Sequence, residues 1–221
     1  MYYILFLILL ALNNIQIQSI NNEKNIIIEN QIGEIGNYTY ELWKDFGQTK
    51  MILKEDGKFS CSWDNIGNVL FRIGKRWDST KTHKEIGNIK VNYEFDYESK
   101  GTIHLSVYGV TEKPLVEYYI LENYEGPLPT FTSFGTISVD GGSYDMFHKT
   151  IGEFDNPVII HQLWSIRNEK RNSGTVSVSK HFEAWEKNGF NLGKLFEVSF
   201  LVEGYQGKGN ATISKNEIII E

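Results

Sequence analysis

The chain has 221 residues, 41% of them hydrophobic and 14% aromatic, and carries 28 acidic against 22 basic side chains for a formal net charge of −6. That acidity, with no long basic block, argues against a nucleic-acid partner. One composition through the main body argues for a single domain, and the lone cysteine, Cys61, leaves neither an internal disulfide nor a cysteine metal centre to build.

Residues 1–19 carry no charged side chain, and Met1 to Leu12 is almost wholly apolar. The run is too short to span a bilayer. It reads as a signal peptide, cleaved near Ser19, of a secreted, extracellular protein with no membrane partner. No Lys or Arg precedes it, so the amino terminus must supply the positive charge. Residues 20–36, rich in Asn, Ile and Glu, read as an N-terminal extension or an edge strand.

The domain proper is expected over 37–221. Short apolar and aromatic runs alternate there with turn signals such as Glu55-Asp56-Gly57-Lys58, Glu125-Gly126-Pro127 and Asp140-Gly141-Gly142. The rhythm predicts an all-β antiparallel sandwich or barrel. Cys61 alternates with Phe59 and Trp63 and reads as buried apolar filler. Arg167, Lys170 and Arg171 read as a solvated surface cluster. Sequons at Asn37 and Asn210 offer glycan acceptors in a eukaryotic secretory pathway. One segment breaks the β pattern: Phe182 and Trp185 stand at helical spacing, with Ser179 as N-cap and Gly189 beyond the C-terminus, which predicts a short helix over 179–188.

Two strand-like stretches each hold a glutamate among apolar and tyrosine residues: Pro114-Leu115-Val116-Glu117-Tyr118-Tyr119-Ile120-Leu121 and Val202-Glu203-Gly204-Tyr205. Alternation puts Glu117 with Leu115, Tyr119 and Leu121, and puts Glu203 with Glu197, Ser199, Leu201 and Tyr205. Val198, Phe200 and Val202 form the opposite, core-facing side. His104, Ser106 and Tyr108 share a face of the strand over 103–110. On alternation alone an exposed sheet face is the simpler reading of both glutamates. Two carboxylates on one sheet also suit a reaction needing an acid and a nucleophile on either side of a bond, as in glycoside hydrolysis.

The surrounding segments carry more. In order they are Phe59-Ser60-Cys61-Ser62-Trp63-Asp64-Asn65-Ile66-Gly67-Asn68, Val107-Tyr108-Gly109, Pro114 to Tyr119, and Ser138-Val139-Asp140-Gly141-Gly142-Ser143-Tyr144-Asp145. Then come Gln162-Leu163-Trp164-Ser165-Ile166-Arg167, His181-Phe182-Glu183-Ala184-Trp185, Asn191-Leu192-Gly193 and Glu203-Gly204-Tyr205-Gln206. In this order and spacing the chain resembles the xylanases of glycoside hydrolase family 11, from about Tyr40 to Ile213.

The resemblance implies a β-jelly roll of two twisted antiparallel sheets forming a cleft, with one short α-helix. It implies retaining endo-hydrolysis of β-1,4-xylan by a monomer that needs no metal or organic cofactor. Glu117 matches the nucleophile and Glu203 the acid/base. In a retaining site the two carboxyl groups lie about 5–5.5 Å apart, so the charge of Glu117 is expected to raise the pKa of Glu203 and keep it protonated until the glycosyl ester forms. Tyr108 and Tyr119 match tyrosines that bond the nucleophile region and the distorted sugar. Asn68 matches the residue beside the acid/base, where Asn accompanies an optimum between weakly acidic and neutral pH. Trp43 matches an aromatic platform for a xylose ring, Gln162 a polar residue beneath the thumb loop, and Pro157 the tip of that loop.

The chain also departs from the family pattern. The stretch between Tyr144 and Trp164 is shorter, and the arginine before the thumb tip is missing. Val110 replaces a Trp, Glu112 a basic or neutral residue, and Glu197 a tyrosine. Glu125-Gly126-Pro127-Leu128-Pro129 replaces a tyrosine-bearing loop. Glu197 is expected to perturb Glu203. Two other functions fit the same residues: a non-catalytic glycan-binding homologue, and a jelly-roll β-glucanase with the same two-glutamate chemistry.

Overall fold

Two long strands organise the molecule, which a computed structural model describes over residues 25–152 and 160–221. They are β7 (Ile89–Glu112) and β13 (Lys194–Ile220), paired antiparallel along nearly their whole length. Their register breaks between Tyr205 and Lys208, where Gln206 and Gly207 take φ of 59° and 74°. Such a bulge adds local twist and lets one strand serve two layers.

On one side of the break lie β1 (Ile26–Ile27), β4 (Gln48–Leu53) and β5 (Phe59–Asp64), joined to the C-terminal half of β13, and β12 (Ser173–Val176), joined to β7. On the other lie β2 (Gln31–Ile35), β3 (Tyr38–Lys44) and β6 (Asn68–Arg76), joined to the N-terminal half of β13. The C-terminal half of β7 continues into β8 (Val116–Glu125), β11 (Ile160–Arg167), β10 (Gly142–Ile151) and β9 (Thr132–Val139). The β8–β11 pair is parallel, and the other pairs are antiparallel. The result is an open β-jelly roll in which residues 25–36, expected as an extension or edge strand, supply β1 and β2.

The main core lies between the layers. Phe59, Cys61 and Trp63 of β5 meet Phe71 of β6 and Phe200 of β13, with Trp63 and Phe71 centroids 6.0 Å apart. Tyr93 stacks on both Phe95 and Phe200. Val198, Phe200 and Val202 face this core as alternation predicts, and burial pushes the Cys61 thiol well above its ordinary range. A smaller cluster of Tyr108, Val110, Tyr119, Leu121, Trp164, Ile166 and Leu201 covers the other face of the long sheet. The twist of so many strands curls that face over its own side chains.

The turn signals do what their residues require. Asp56-Gly57 and Asp140-Gly141 both have positive φ at two successive positions, the geometry of a type I′ turn. The second closes β9 to β10 between Val139 and Gly142.

Two helices occur among the described residues: α1 (His83–Ile86), a single turn not expected from the sequence, and α2 (Val178–Lys187). In α2, Phe182 and Trp185 face the main core, with Phe182 edge-on to Tyr118 at 4.8 Å. The N-cap is Ser177 rather than Ser179. Ser177 donates its hydroxyl to Asp140, while the Ser179 hydroxyl lies in the first turn and accepts from the Ile89 N–H at 2.9 Å. Neither residue caps by its side chain, because tertiary partners claim both hydroxyls.

The surface reading of Arg167 and Arg171 is also corrected. Arg167 is only 6% exposed and donates to the Tyr144 hydroxyl, and Arg171 pairs with the fully buried Glu122, which Tyr93 and Tyr144 also bond. A buried carboxylate needs a countercharge, and Arg171 supplies it. Lys170 alone is exposed. The expected signal peptide and Pro157 lie outside the described residues. No helix among the described residues is long and apolar enough to cross a membrane.

Candidate active site

Register across the curled face builds two rows of side chains. In the first, Arg76 of β6 lies opposite Glu197 of β13, which lies opposite Val110 of β7. Val110 lies opposite Glu117 of β8, and Glu117 opposite Gln162 of β11. In the second, Trp43 of β3 lies opposite Leu70, Leu70 opposite Glu203, and Glu203 opposite His104, which faces Tyr124. Both glutamates are therefore on one face. They are not solvent-facing: Glu117 is 5% exposed and Glu203 3%.

Glu117 is held from two sides. The Tyr108 hydroxyl donates to Oε1 at 2.8 Å and Gln162 Nε2 donates to Oε2 at 2.7 Å. A carboxylate oxygen has two acceptor sites, so each keeps one lone pair for other work. Burial raises the Glu117 pKa above the ordinary carboxylate value. The Gln162 and Tyr108 donors pull it back, the nearby Glu203 charge adds to the rise, and Arg72 opposes it. Gln162, expected beneath the thumb loop, bonds Glu117 directly.

Tyr119 stacks flat on Trp164, with centroids 3.8 Å apart and planes 6° off parallel, and meets Tyr108 edge-on at 5.0 Å. Burial first, then the charges of Glu117 and Glu203, hold the Tyr119 hydroxyl fully protonated. Asn68 lies opposite Tyr205, diagonal to Glu203, and its buried Oδ1 has no partner among the described residues. Trp43 is half-buried in the Glu203 row. Behind Glu203, Gly204 lets the main chain approach the Trp63 indole, which a Cβ would meet at 3.0 Å. Of the expected site residues, Glu117, Tyr108, Tyr119 and Gln162 form one contact group, and Glu203, Asn68 and Trp43 occupy the neighbouring rows.

The expectation for Glu197 is corrected. It does not pair with Glu203; it lies in the Glu117 row and joins a buried four-charge network. Arg76 Nε donates to its Oε2 at 2.9 Å, Arg72 approaches Oε1 at 3.3 Å, and both arginines also bond Glu41. Burial pushes the Glu197 pKa up, but Arg72 and Arg76 outweigh it and hold the carboxyl below its ordinary value. The Arg72 guanidinium also sits over the Tyr108 ring at 4.9 Å, linking the network to the donor on Glu117. Sequence reasoning missed Arg72, Arg76 and Glu41. Alternation along Leu70-Phe71-Arg72-Ile73-Gly74-Lys75-Arg76 would have put both arginines on the glutamate face. His104, placed by alternation on the Tyr108 face, and Trp164 have no role assigned by the sequence, yet they flank Glu203 and Tyr119.

The residues on this face can supply two carboxyls, one held by neutral donors, beside flat aromatic surfaces suited to an uncharged ring. The family model described as Glycosyl hydrolases family 11 matches residues 35–214. The endo-1,4-beta-xylanase A of Bacillus pumilus is 46% identical over 199 residues, which cover 88% of this chain and 86% of that protein. The endo-1,4-beta-xylanase A of Thermoclostridium stercorarium is 49% identical over 199 residues, and the chain spans 31% of its length. The solved family 11 xylanase from Neocallimastix patriciarum superposes with a TM-score of 0.82 at 28% identity, over 89% of this chain and 100% of that one. A match that takes in both glutamates and most of the described strands means that the chain belongs to glycosyl hydrolases family 11.

Proposed function

We propose that the chain is a secreted endo-β-1,4-xylanase that cleaves internal bonds of xylan with retention, with Glu117 as nucleophile and Glu203 as acid/base. The observation that carries this reading is the asymmetry of the two carboxyls. Glu117 receives a neutral donor on each oxygen, which favours its charged form and fixes its direction. Glu203 Oε2 is buried without a partner among the described residues, as befits a group that must pass a proton.

In the first step a Glu117 oxygen attacks the anomeric carbon as the glycosidic C–O bond breaks, and Glu203 gives its proton to the departing oxygen. The ester leaves Glu117 neutral, which removes the repulsion between the two groups. Glu203, now a carboxylate, takes a proton from water as the water oxygen attacks the same carbon and the ester bond breaks. Trp43, half-buried in the Glu203 row, offers a flat face to a sugar ring. Residues 1–19 serve as the leader that exports the chain.

The test is reducing-end release from xylan by the wild type beside Glu117→Gln and Glu203→Gln, with NMR of the first-formed anomer. Loss of at least about a thousand-fold in kcat is expected for Glu117→Gln, with retained anomeric configuration for the wild type. Full activity in either variant, or inversion, overturns the mechanism. Release only from β-glucan would favour a glucanase, and glycan binding without hydrolysis a binding homologue.

A further inference from the structure

The clearest shortfall of hydrogen bonding on this face is at His104. The ring is 1% exposed, and neither nitrogen has a hydrogen-bond partner among the described residues. Directly across the β7–β13 pair stands Glu203, whose Oε2 is equally without one, and His104 Nδ1 lies 3.8 Å from it. Buried donors and acceptors left unmatched are rare and costly, and here both sides of a missing bond face each other about an ångström too far apart.

The groups around the pair leave Glu203 Oε2 and both His104 nitrogens without a partner among the described residues. From β13, Tyr205 packs on the imidazole at 5.3 Å; from β11, Trp164 meets it edge-on at 6.2 Å. Burial first, then the Glu203 charge and the hydroxyl's own hydrogen bond towards Glu203, hold the Tyr205 hydroxyl protonated, so Tyr205 is a second neutral donor beside this carboxyl, while Oε2 stays without a partner. From β8, Tyr124 lies opposite His104, with the Lys170 ammonium over its ring. Along β7 itself, the Ser106 hydroxyl on the same face is also unpartnered. The carboxylate that Nδ1 approaches is that of Glu203.

We propose that His104 is a positioning residue for Glu203, its Nδ1–H closing onto the carboxylate as the proton leaves for the glycosidic oxygen and holding it for the return proton from water. This rests on the acid/base reading of Glu203 above. A bond that is long to the neutral acid and short to the carboxylate is stronger after proton transfer than before it. Such an interaction speeds the chemical step rather than binding. Removing the donor favours the protonated acid, so the alkaline limb of the pH–rate profile moves to higher pH.

The experiment compares His104→Phe, which keeps the ring packing, with His104→Asn, whose Nδ2 stands near the place of Nδ1, and Glu203→Ala. Each is assayed across pH on an aryl β-xylobioside with a poor leaving group and on the 2,4-dinitrophenyl analogue, which needs no protonation. For His104→Phe, kcat/KM on the poor leaving group should fall roughly ten- to hundred-fold, and its alkaline limb should rise by about one pH unit. On the dinitrophenyl substrate kcat/KM should stay within about twofold of wild type, and His104→Asn should restore the wild-type limb. An unmoved limb, or equal losses on both substrates, overturns the proposal. Glu203→Ala separates the two failures: equal losses on both leaving groups there would mean that Glu203 is not the acid. A measurement on the wild type covers misfolding of the variants. In the glycosyl-enzyme trapped with a 2-fluoro sugar, the His104 Nδ1 proton should appear as a protected imidazole N–H resonance in NMR. Its absence also overturns the proposal.

Discussion

Across the parallel β8–β11 pair Gln162 stands opposite Glu117, and its side-chain amide donates to Glu117 Oε2 at 2.7 Å. Burial pulls the Glu117 pKa up, and this donor opposes the rise more strongly than any other neighbour. On the proposed mechanism Glu117 attacks as the carboxylate, so activity should be lost as pH falls through its pKa. Gln162→Leu should therefore move the acid limb of kcat/KM upward by about one pH unit. A pH–rate profile on xylan checks this, and an acid limb that stays in place or moves down refutes it.

Arg72 is the centre of the buried network, bonded to Glu41 and close to Glu197. Arg72→Met leaves two buried carboxylates with Arg76 as their only cation in that network. Breaking a buried pair this way costs about 3–5 kcal/mol, which lowers Tm by roughly 10 °C in a chain of this size. Thermal unfolding near neutral pH measures it. A change under about 2 °C would show that the network adds little.

His181 of α2 is buried against Tyr144 and Trp185, and burial, then Arg167 and Arg171, push its pKa down from 6.5 to about 3. The unfolded chain binds a proton on this ring below pH 6.5 and the folded chain does not. Its contribution therefore favours unfolding increasingly as pH falls from 6.5 towards 3, by about 1.4 kcal/mol per pH unit. His181→Phe should flatten the acid side of the stability curve by that slope. Urea unfolding at a series of pH values decides it, and parallel curves for variant and wild type would count against the buried neutral ring.

The first strands are expected to stabilise without taking part in chemistry. A chain starting at Asn37 loses β1 and β2, including the bond from the Thr49 hydroxyl to the Ile28 carbonyl and that from Gln31 to the Tyr40 hydroxyl. It also uncovers the edge of β3. With one buried isoleucine and a few hydrogen bonds lost, Tm should fall by roughly 5–10 °C, with kcat on xylan kept. Loss of activity in a chain that remains folded at the assay temperature would place these strands in the site.

Much of the site is legible in the sequence because strand parity is a local property. Alternation assigns Glu203 and Tyr205 to one face and Val202 and Phe200 to the other, and Tyr108 and Tyr119 stand out by their motifs. The α2 segment is legible from Phe182 and Trp185, but its cap is not. Ser177 and Ser179 are equivalent as sequence, and Asp140 and Ile89 choose between their uses. Arg171 looks like surface because the carboxylate it pairs with, Glu122, is brought near only by the folded sheet.

Residue order along the chain is enough to indicate an all-β fold, the turns at Asp56-Gly57 and Asp140-Gly141, and the face on which each glutamate lies. These follow from backbone conformational preference and a side-chain period of two, which need no distant partner. The partners of the glutamates need the folded sheet. Gln162 meets Glu117, His104 faces Glu203, and Arg72 and Arg76 neutralise Glu197 because the register of strands far apart in sequence aligns them. Register is set by packing of the whole face, and a slip of one residue would turn every one of these side chains to the other side.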